Sequence, residues 1–254
     1  MTDATVRRPI KWSSCADTNV GMVRKINEDS VLARPDLGLW VVADGMGGYE
    51  AGDVASNMIV KTLQETQVKE HLNDFVNQIE DSLIDVNQRI LEYADIMLDG
   101  RTLGSTAVSL LIKGHVGACL WVGDSRLYRY RNNALLQLSR DHSHVEELIQ
   151  KGLINAEEAE NHPQSNVITR AVGAFSDVCV DLNVFSVQMG DLFLLCSDGL
   201  YNAVPQHDII TILSKSEPQN IVDNLISKAL DNGAADNVSV IIVKGEPGSI
   251  STIN

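Results

Sequence analysis

Short apolar segments recur along this 254-residue chain, and several of them begin or stop at an aspartate. Period-two or continuously apolar runs rich in Val, Leu, Ile and Trp occupy residues 28–34, 38–43, 105–112, 115–122, 126–131, 178–185, 191–197 and 237–243, which reads as strands. Between them, Leu83, Val86, Ile90 and Leu91 repeat at helical spacing within a predicted helix over about 73–97. Further helices are predicted at about 51–67, 206–214 and 217–231, the last ending at Asp231-Asn232-Gly233, where glycine suits a left-handed cap. Strands in groups, broken by helix pairs instead of alternating with single helices, imply an α+β fold. The expected architecture is two packed, mainly antiparallel β-sheets flanked by helix pairs. No repeat, low-complexity tract or long linker divides the chain, so 1–254 is read as a single domain. Residues 139–173 differ in texture: Ser143 and Glu146 form a capping box, but Gly152 and Pro163 break the rest, which predicts a surface excursion.

Charge narrows the partners. Lys and Arg number 20 against 34 Asp and Glu, a net charge of −14. A phosphate backbone or an anionic membrane surface would repel such a chain, so neither nucleic acid nor membrane is expected as a partner, while divalent cations are favoured. No apolar run reaches the roughly 18 residues of a spanning helix, and the opening MTDATVRRPI has no apolar stretch behind its charges, so a cytoplasmic location is expected. Cys15, Cys119, Cys179 and Cys196 form no C-x-x-C pair and are expected to be buried, reduced thiols.

The chemistry concentrates at the strand ends. Asp29 precedes SVLAR, Asp44 follows LGLWVVA, Asp124 follows ACLWVG, Asp198 follows DLFLLCS and Asp236 precedes NVSVIIV. Carboxylates at such places need solvent or a cation, and an oxygen-only set suits Mg²⁺ or Mn²⁺ better than zinc. Spacing alone does not establish that these strand ends meet. His142, His144 and His162 lie in the excursion and read as solvated or hydrogen-bonded residues.

Six strings now stand in order: Arg24-x-x-Asn27-Glu28-Asp29, Val42-Ala43-Asp44-Gly45-Met46-Gly47-Gly48, Gly104-Ser105-Thr106, Val122-Gly123-Asp124-Ser125-Arg126, Cys196-Ser197-Asp198-Gly199-Leu200 and Asp236-Asn237-x-Ser239. Together they resemble the type 2C metal-dependent protein phosphatases, the PPM family, over about residues 12–244. The compact length and the DGMGG form are similar to the bacterial branch. The resemblance implies an α-β-β-α sandwich with a metal cluster at one end and a flap at about 139–173. It implies that Asp44 bridges two Mn²⁺ or Mg²⁺ ions, that the Gly45 carbonyl completes one site, and that Asp198 and Asp236 hold the other. Glu28 and Asp29 would act mostly through metal-bound waters, and Asp124 with Asp198 would form a third metal position.

By the same resemblance Arg24 binds the substrate phosphate, and a metal-bridging hydroxide attacks phosphoserine or phosphothreonine directly. Phosphoprotein substrates and an opposing serine/threonine kinase are the implied partners. Met46 stands where eukaryotic members have a histidine proposed as general acid, so a metal-bound water becomes the expected proton donor. Three rival readings fare worse. A cysteine-dependent phosphatase needs an arginine six residues after its nucleophile, but Gly21, Ser125, Phe185 and Asn202 occupy those places. A two-metal nuclease conflicts with the negative charge. A non-catalytic phosphoprotein-binding or regulatory module on the same fold would be expected to have lost metal aspartates, and here all are present.

Overall fold

The computed structural model describes residues 8–47, 51–160, 162–215 and 217–248; Gly48 of the DGMGG string lies outside them. The first sheet contains β1 (Ile10–Asn19), β7 (Arg126–Arg131), β8 (Ala134–Gln137), β10 (Leu192–Cys196) and β11 (Val238–Pro247) in the order β1-β11-β10-β7-β8. The second runs β2 (Asp29–Arg34), β3 (Leu39–Gly47), β5 (Ala107–Lys113), β6 (Val116–Val122) and β9 (Asp181–Ser186), with β4 (Leu103–Ser105) pairing β3. Every strand pairing is antiparallel.

The helices are α1 (Gly52–Gln64), α2 (Leu72–Met97), α3 (His144–Gln150), α4 (Ala156–Glu160), α5 (Asp198–Ala203), α6 (Gln206–Lys215) and α7 (Pro218–Asp231). Three apolar layers follow. Trp40, Val42, Val108 and Leu110 of one sheet pack with Phe193, Leu195, Ile241 and Val243 of the other. Leu39, Val41 and Ala43 face α1 and α2, while Leu194, Cys196, Val240 and Ile242 face α5, α6 and α7. Central strands buried on both faces are the reason LGLWVVA and LFLLC read as continuous apolar runs.

Several expectations are corrected. Strand β1 was not predicted, because IKWSSCADTN is half polar; it forms the edge of its sheet and pairs β11 along all ten residues. The edge strand β8 was missed for the same reason, and β9 starts at Asp181 instead of 178. The predicted strand 105–112 divides at Thr106 into β4 and β5. Asp198 opens the unpredicted helix α5 and so does not end a strand. Cys119 and Cys196 are buried free thiols, but Cys179 is exposed and Cys15 half-buried, because the first precedes β9 and the second lies on an edge strand. Gly233 does take the left-handed conformation, at φ +85°.

The 139–173 segment carries α3 and α4, and the Glu146 amide donates to Ser143 Oγ at 3.3 Å as the capping box requires. Its two ends are stitched to the body, His142 N donating to the Gly123 carbonyl and Ser105 exchanging backbone bonds with Val172. His142 is buried: its Nδ1 accepts from Gly123 N, which leaves Nε2 to donate toward Asp181, 3.2 Å away. A cleft of about 640 Å³ opens between this flap and the α5–α6 corner, reaching Asp124 and Arg126.

Candidate active site

Pairing places the first two carboxylates. Asp29 at the start of β2 stands directly across from Asp44 on β3, where β3 has just left its register with β5. Asp44 is held through its backbone: its N–H donates to Thr106 Oγ1, and its carbonyl accepts from Thr106 N and Ser105 Oγ. The Gly104-Ser105-Thr106 string is therefore the support of Asp44. Thr106 Oγ1 also lies 2.7 Å from Ser125 Oγ, which ties the Asp44 strand to the turn carrying Asp124.

Gly45 donates its N–H to the Glu28 carbonyl, and a Cβ here would collide with the Gly52 carbonyl oxygen, so only glycine fits between β2 and the start of α1. The Glu28 carboxylate accepts from Gly52 N at 2.7 Å, where a negative group suits the N-terminus of a helix. Asp198 enters from the first turn of α5, and Asp236 from the residues before β11. Asp236 Oδ1 accepts from Asn237 N, and Oδ2 accepts from Arg24 at 2.7 Å. The partner of Arg24 is thus Asp236 and not Glu28, four residues away in sequence.

The electrostatics show that these groups share one region. Burial, followed by the charges of Asp29, Asp198, Asp124 and Asp236, holds the Asp44 carboxyl well above its ordinary range. Burial and then the charges of Asp124, Asp236 and Asp29 push Asp198 up to about 7. Burial raises Asp29 to about 6, with Asp236 adding to it against bonds from Ser239 and Ser197. Asp124 rises to about 6 through burial and the charge of Asp141. Glu28 is also raised, chiefly by burial.

A group of carboxylates with Arg24 beside them still invites a cation. The donors are all oxygens, and Asp29 Oδ1 is buried with no hydrogen-bond partner, while its Oδ2 accepts from Ser197 Oγ at 2.7 Å. Among the described residues no three such side chains close tightly round one point. The residues fit hard divalent ions, whose charge would offset their mutual repulsion.

The expected aspartates therefore converge, with Arg24 beside them. What residue order did not reveal is the polar support: Asn27 Nδ2 donates to Thr18 Oγ1, Thr18 meets Ser239 Oγ at 2.7 Å, and the Ser239 amide donates to Ser197 Oγ, the donor to Asp29. The only signal was a hydroxyl or amide one to three residues from each strand-end aspartate.

Comparison with known proteins agrees with this geometry. A family model described as protein phosphatase 2C matches residues 24–231. The chain is similar to the serine/threonine phosphatase stp of Listeria welshimeri, 39% identical over 235 residues, covering 89% of this chain and 93% of that one. It is 34% identical over 239 residues to the serine/threonine protein phosphatase PstP of Mycobacterium tuberculosis, covering 94% of this chain and 46% of that protein. Among solved structures, it superposes on PppA, a regulatory component of T6SS in Pseudomonas aeruginosa, with a TM-score of 0.87 at 41% identity, over 94% of this chain and all of that one. The PstP catalytic domain in complex with two manganese ions superposes with a TM-score of 0.84 at 31% identity, covering 94% of this chain and 99% of that one.

Proposed function

Because the chain belongs to the protein phosphatase 2C family and is a metal-dependent serine/threonine protein phosphatase, we propose a division of labour among its residues. Asp44, Gly45, Asp198 and Asp236 hold the two divalent ions, Asp124 with Asp198 serves a third, Glu28 and Asp29 orient water, and Arg24 binds the substrate phosphate. The observation that carries this reading is the convergence of Asp29, Asp44 and Asp198 from β2, β3 and α5, each pushed toward its protonated form by burial and by neighbouring carboxylates, with Asp236 from the residues before β11 among those neighbours. Bound there, Mn²⁺ or Mg²⁺ supplies an acidified water and neutralises phosphoryl oxygens.

The remaining steps belong to this chain's own groups. Arg24 already offers one N–H to a carboxylate oxygen of Asp236, and with 52% of its side chain exposed it keeps further donors for a phosphate fork. Ser105 and Thr106 hold the backbone of Asp44, and Ser197 holds the carboxylate of Asp29. Met46 has no proton to give, so water protonates the leaving alkoxide. The chain is read as one phosphatase domain, a reading supported by the pairing of β1 with β11. It is read as cytoplasmic, which the four free thiols support, and as opposed by a serine/threonine kinase, since phosphoprotein substrates need one to form. No helix among the described residues is long and apolar enough to cross a membrane.

The test is phosphate release from a phosphothreonine peptide, first with Mn²⁺ and then in excess chelator. Turnover should need the metal and survive thiol alkylation; appreciable rate in chelator overturns the assignment. Arg24→Ala should lower kcat/KM about thirtyfold, mainly through KM, the scale of one or two charge-assisted hydrogen bonds.

A further inference from the structure

The segment between β1 and β2 is an arch. It leaves β1 at Asn19, carries Arg24 at its crown and returns at Glu28, with Met22 and Val23 about two-thirds exposed. Such a loop would be expected to sample many conformations, yet Arg24 must meet a phosphate at a set place. The arch has little apolar packing to hold it, so polar contacts have to do so.

One buried side chain supplies most of them. Asn237, 3% exposed, follows Asp236 and uses its whole carboxamide on the arch. Its Nδ2 donates to the Val20 carbonyl at 2.9 Å and to the Ile26 carbonyl at 3.0 Å, and its Oδ1 accepts from Glu28 N at 2.8 Å. The two feet of the arch, six residues apart, are thus fastened to one amide group. Near the first foot, Met22 N donates to the Ala234 carbonyl, and Gly21 sits at φ +78° where a Cβ would strike the Asp236 carbonyl oxygen. The backbone of residues 234–237 and the arch are therefore in direct contact on both sides of Asp236, the residue that Arg24 touches.

We propose that Asn237 is a positioning residue for substrate phosphate: its carboxamide sets the span of the 20–26 arch and thereby the reach of Arg24. This rests on the reading of Arg24 as the phosphate ligand. Asn237 touches neither substrate nor metal in this scheme. It acts by removing conformations in which the arginine swings away, so its loss falls on binding before it falls on chemistry.

Steady-state kinetics on a phosphothreonine peptide at saturating Mn²⁺ test it, using Asn237→Asp, Asn237→Ala, Arg24→Ala and the two double variants. Asn237→Asp keeps the volume and the acceptor for Glu28 N but presents an oxygen to two carbonyls; Asn237→Ala leaves a small void without that repulsion, so one variant covers a folding failure of the other. Each should raise KM about tenfold while kcat changes less than about threefold. Adding either Asn237 variant to Arg24→Ala should then cost less than about twofold beyond the Arg24→Ala loss, because the arch no longer carries the arginine it positions. Amide hydrogen exchange, read without substrate, should speed up at least about tenfold in residues 20–28 and stay unchanged in β11.

Additive losses in the double variants, an unchanged exchange rate in the arch, or a shift in the Mn²⁺ activation constant in place of KM would each overturn the proposal. If Arg24→Ala alone leaves kcat/KM intact, both the phosphate reading and this one fall. If Arg24→Ala shows its loss and the double variants are additive, only the role of Asn237 falls.

Discussion

Strand β10 has an aspartate at each end, and the two are treated in opposite ways. Asp191, 1% exposed, is gripped by Arg131 through Nε at 2.5 Å and a terminal nitrogen at 2.7 Å, and also accepts from Gln188 N. Asp198, just beyond the other end, receives Asn202 Nδ2 at 3.2 Å and meets Asp44, while burial and the charges of Asp124, Asp236 and Asp29 push it to about 7. A carboxylate that serves the fold is given a cation from the protein. In the proposed scheme Asp198 is instead left to find its cation from solution, and the protein tolerates the repulsion meanwhile.

The sharpest break of this contrast is Asp44→Asn. At the catalytic end it should lower kcat by about a thousandfold or more on a phosphopeptide, and yet raise the melting temperature of the metal-free protein, because one of the repelling charges is gone. Wild-type rates would show that Asp44 is no part of the site. At the other end, Asp191→Asn should leave kcat within about twofold but destabilise the protein by about 3 kcal/mol in urea unfolding, since Arg131 keeps its charge and loses its partner. A neutral Asp191→Asn would remove the distinction drawn between the two ends.

Asp124→Ala should sit between these, losing about thirtyfold in rate with Mn²⁺ still bound at the main pair by calorimetry. Loss of all metal binding would make Asp124 a principal ligand. The smallest effect is in the pH dependence of the metal-free protein. Asp198 near 7 and Asp29 and Asp124 near 6 lie above the ordinary 3.8, so between about pH 4 and 7 the folded state binds more protons than the unfolded one. Stability should therefore fall as pH rises through that window, by several degrees of melting temperature between about pH 5 and 7.5. Asp44→Asn should flatten the slope, whereas Asp191→Asn should keep it; a stability that rises over this range would contradict the crowding of the carboxylates.

Much of this was legible before folding. The central strands β3, β5, β6, β10 and β11 declare themselves because both faces are buried, so most positions along their middles are apolar. The edge strands β1 and β8 do not, because one partner and one wet face leave a half-polar sequence that local patterning cannot separate from a loop. Asp29, Asp44, Asp124, Asp198 and Asp236 stood out by their places at apolar segment ends. Of their supports, Ser197, Asn237 and Ser239 stood in the quoted strings without a role and Thr18 in none, since a hydroxyl or amide beside a strand is common and acquires meaning only from its partner.

Local chemistry therefore settles which segments become strands, where glycine is needed and which side chains can bind a hard cation, because each depends on residues adjacent in the chain. Convergence is a different matter. Asp29 and Asp198 are 169 positions apart, and Arg24 meets Asp236 across 212. Those meetings follow from the register of β2 on β3 and of β1 on β11 and from the stacking of the two sheets, terms set by long-range pairing and burial that no short stretch of residues contains.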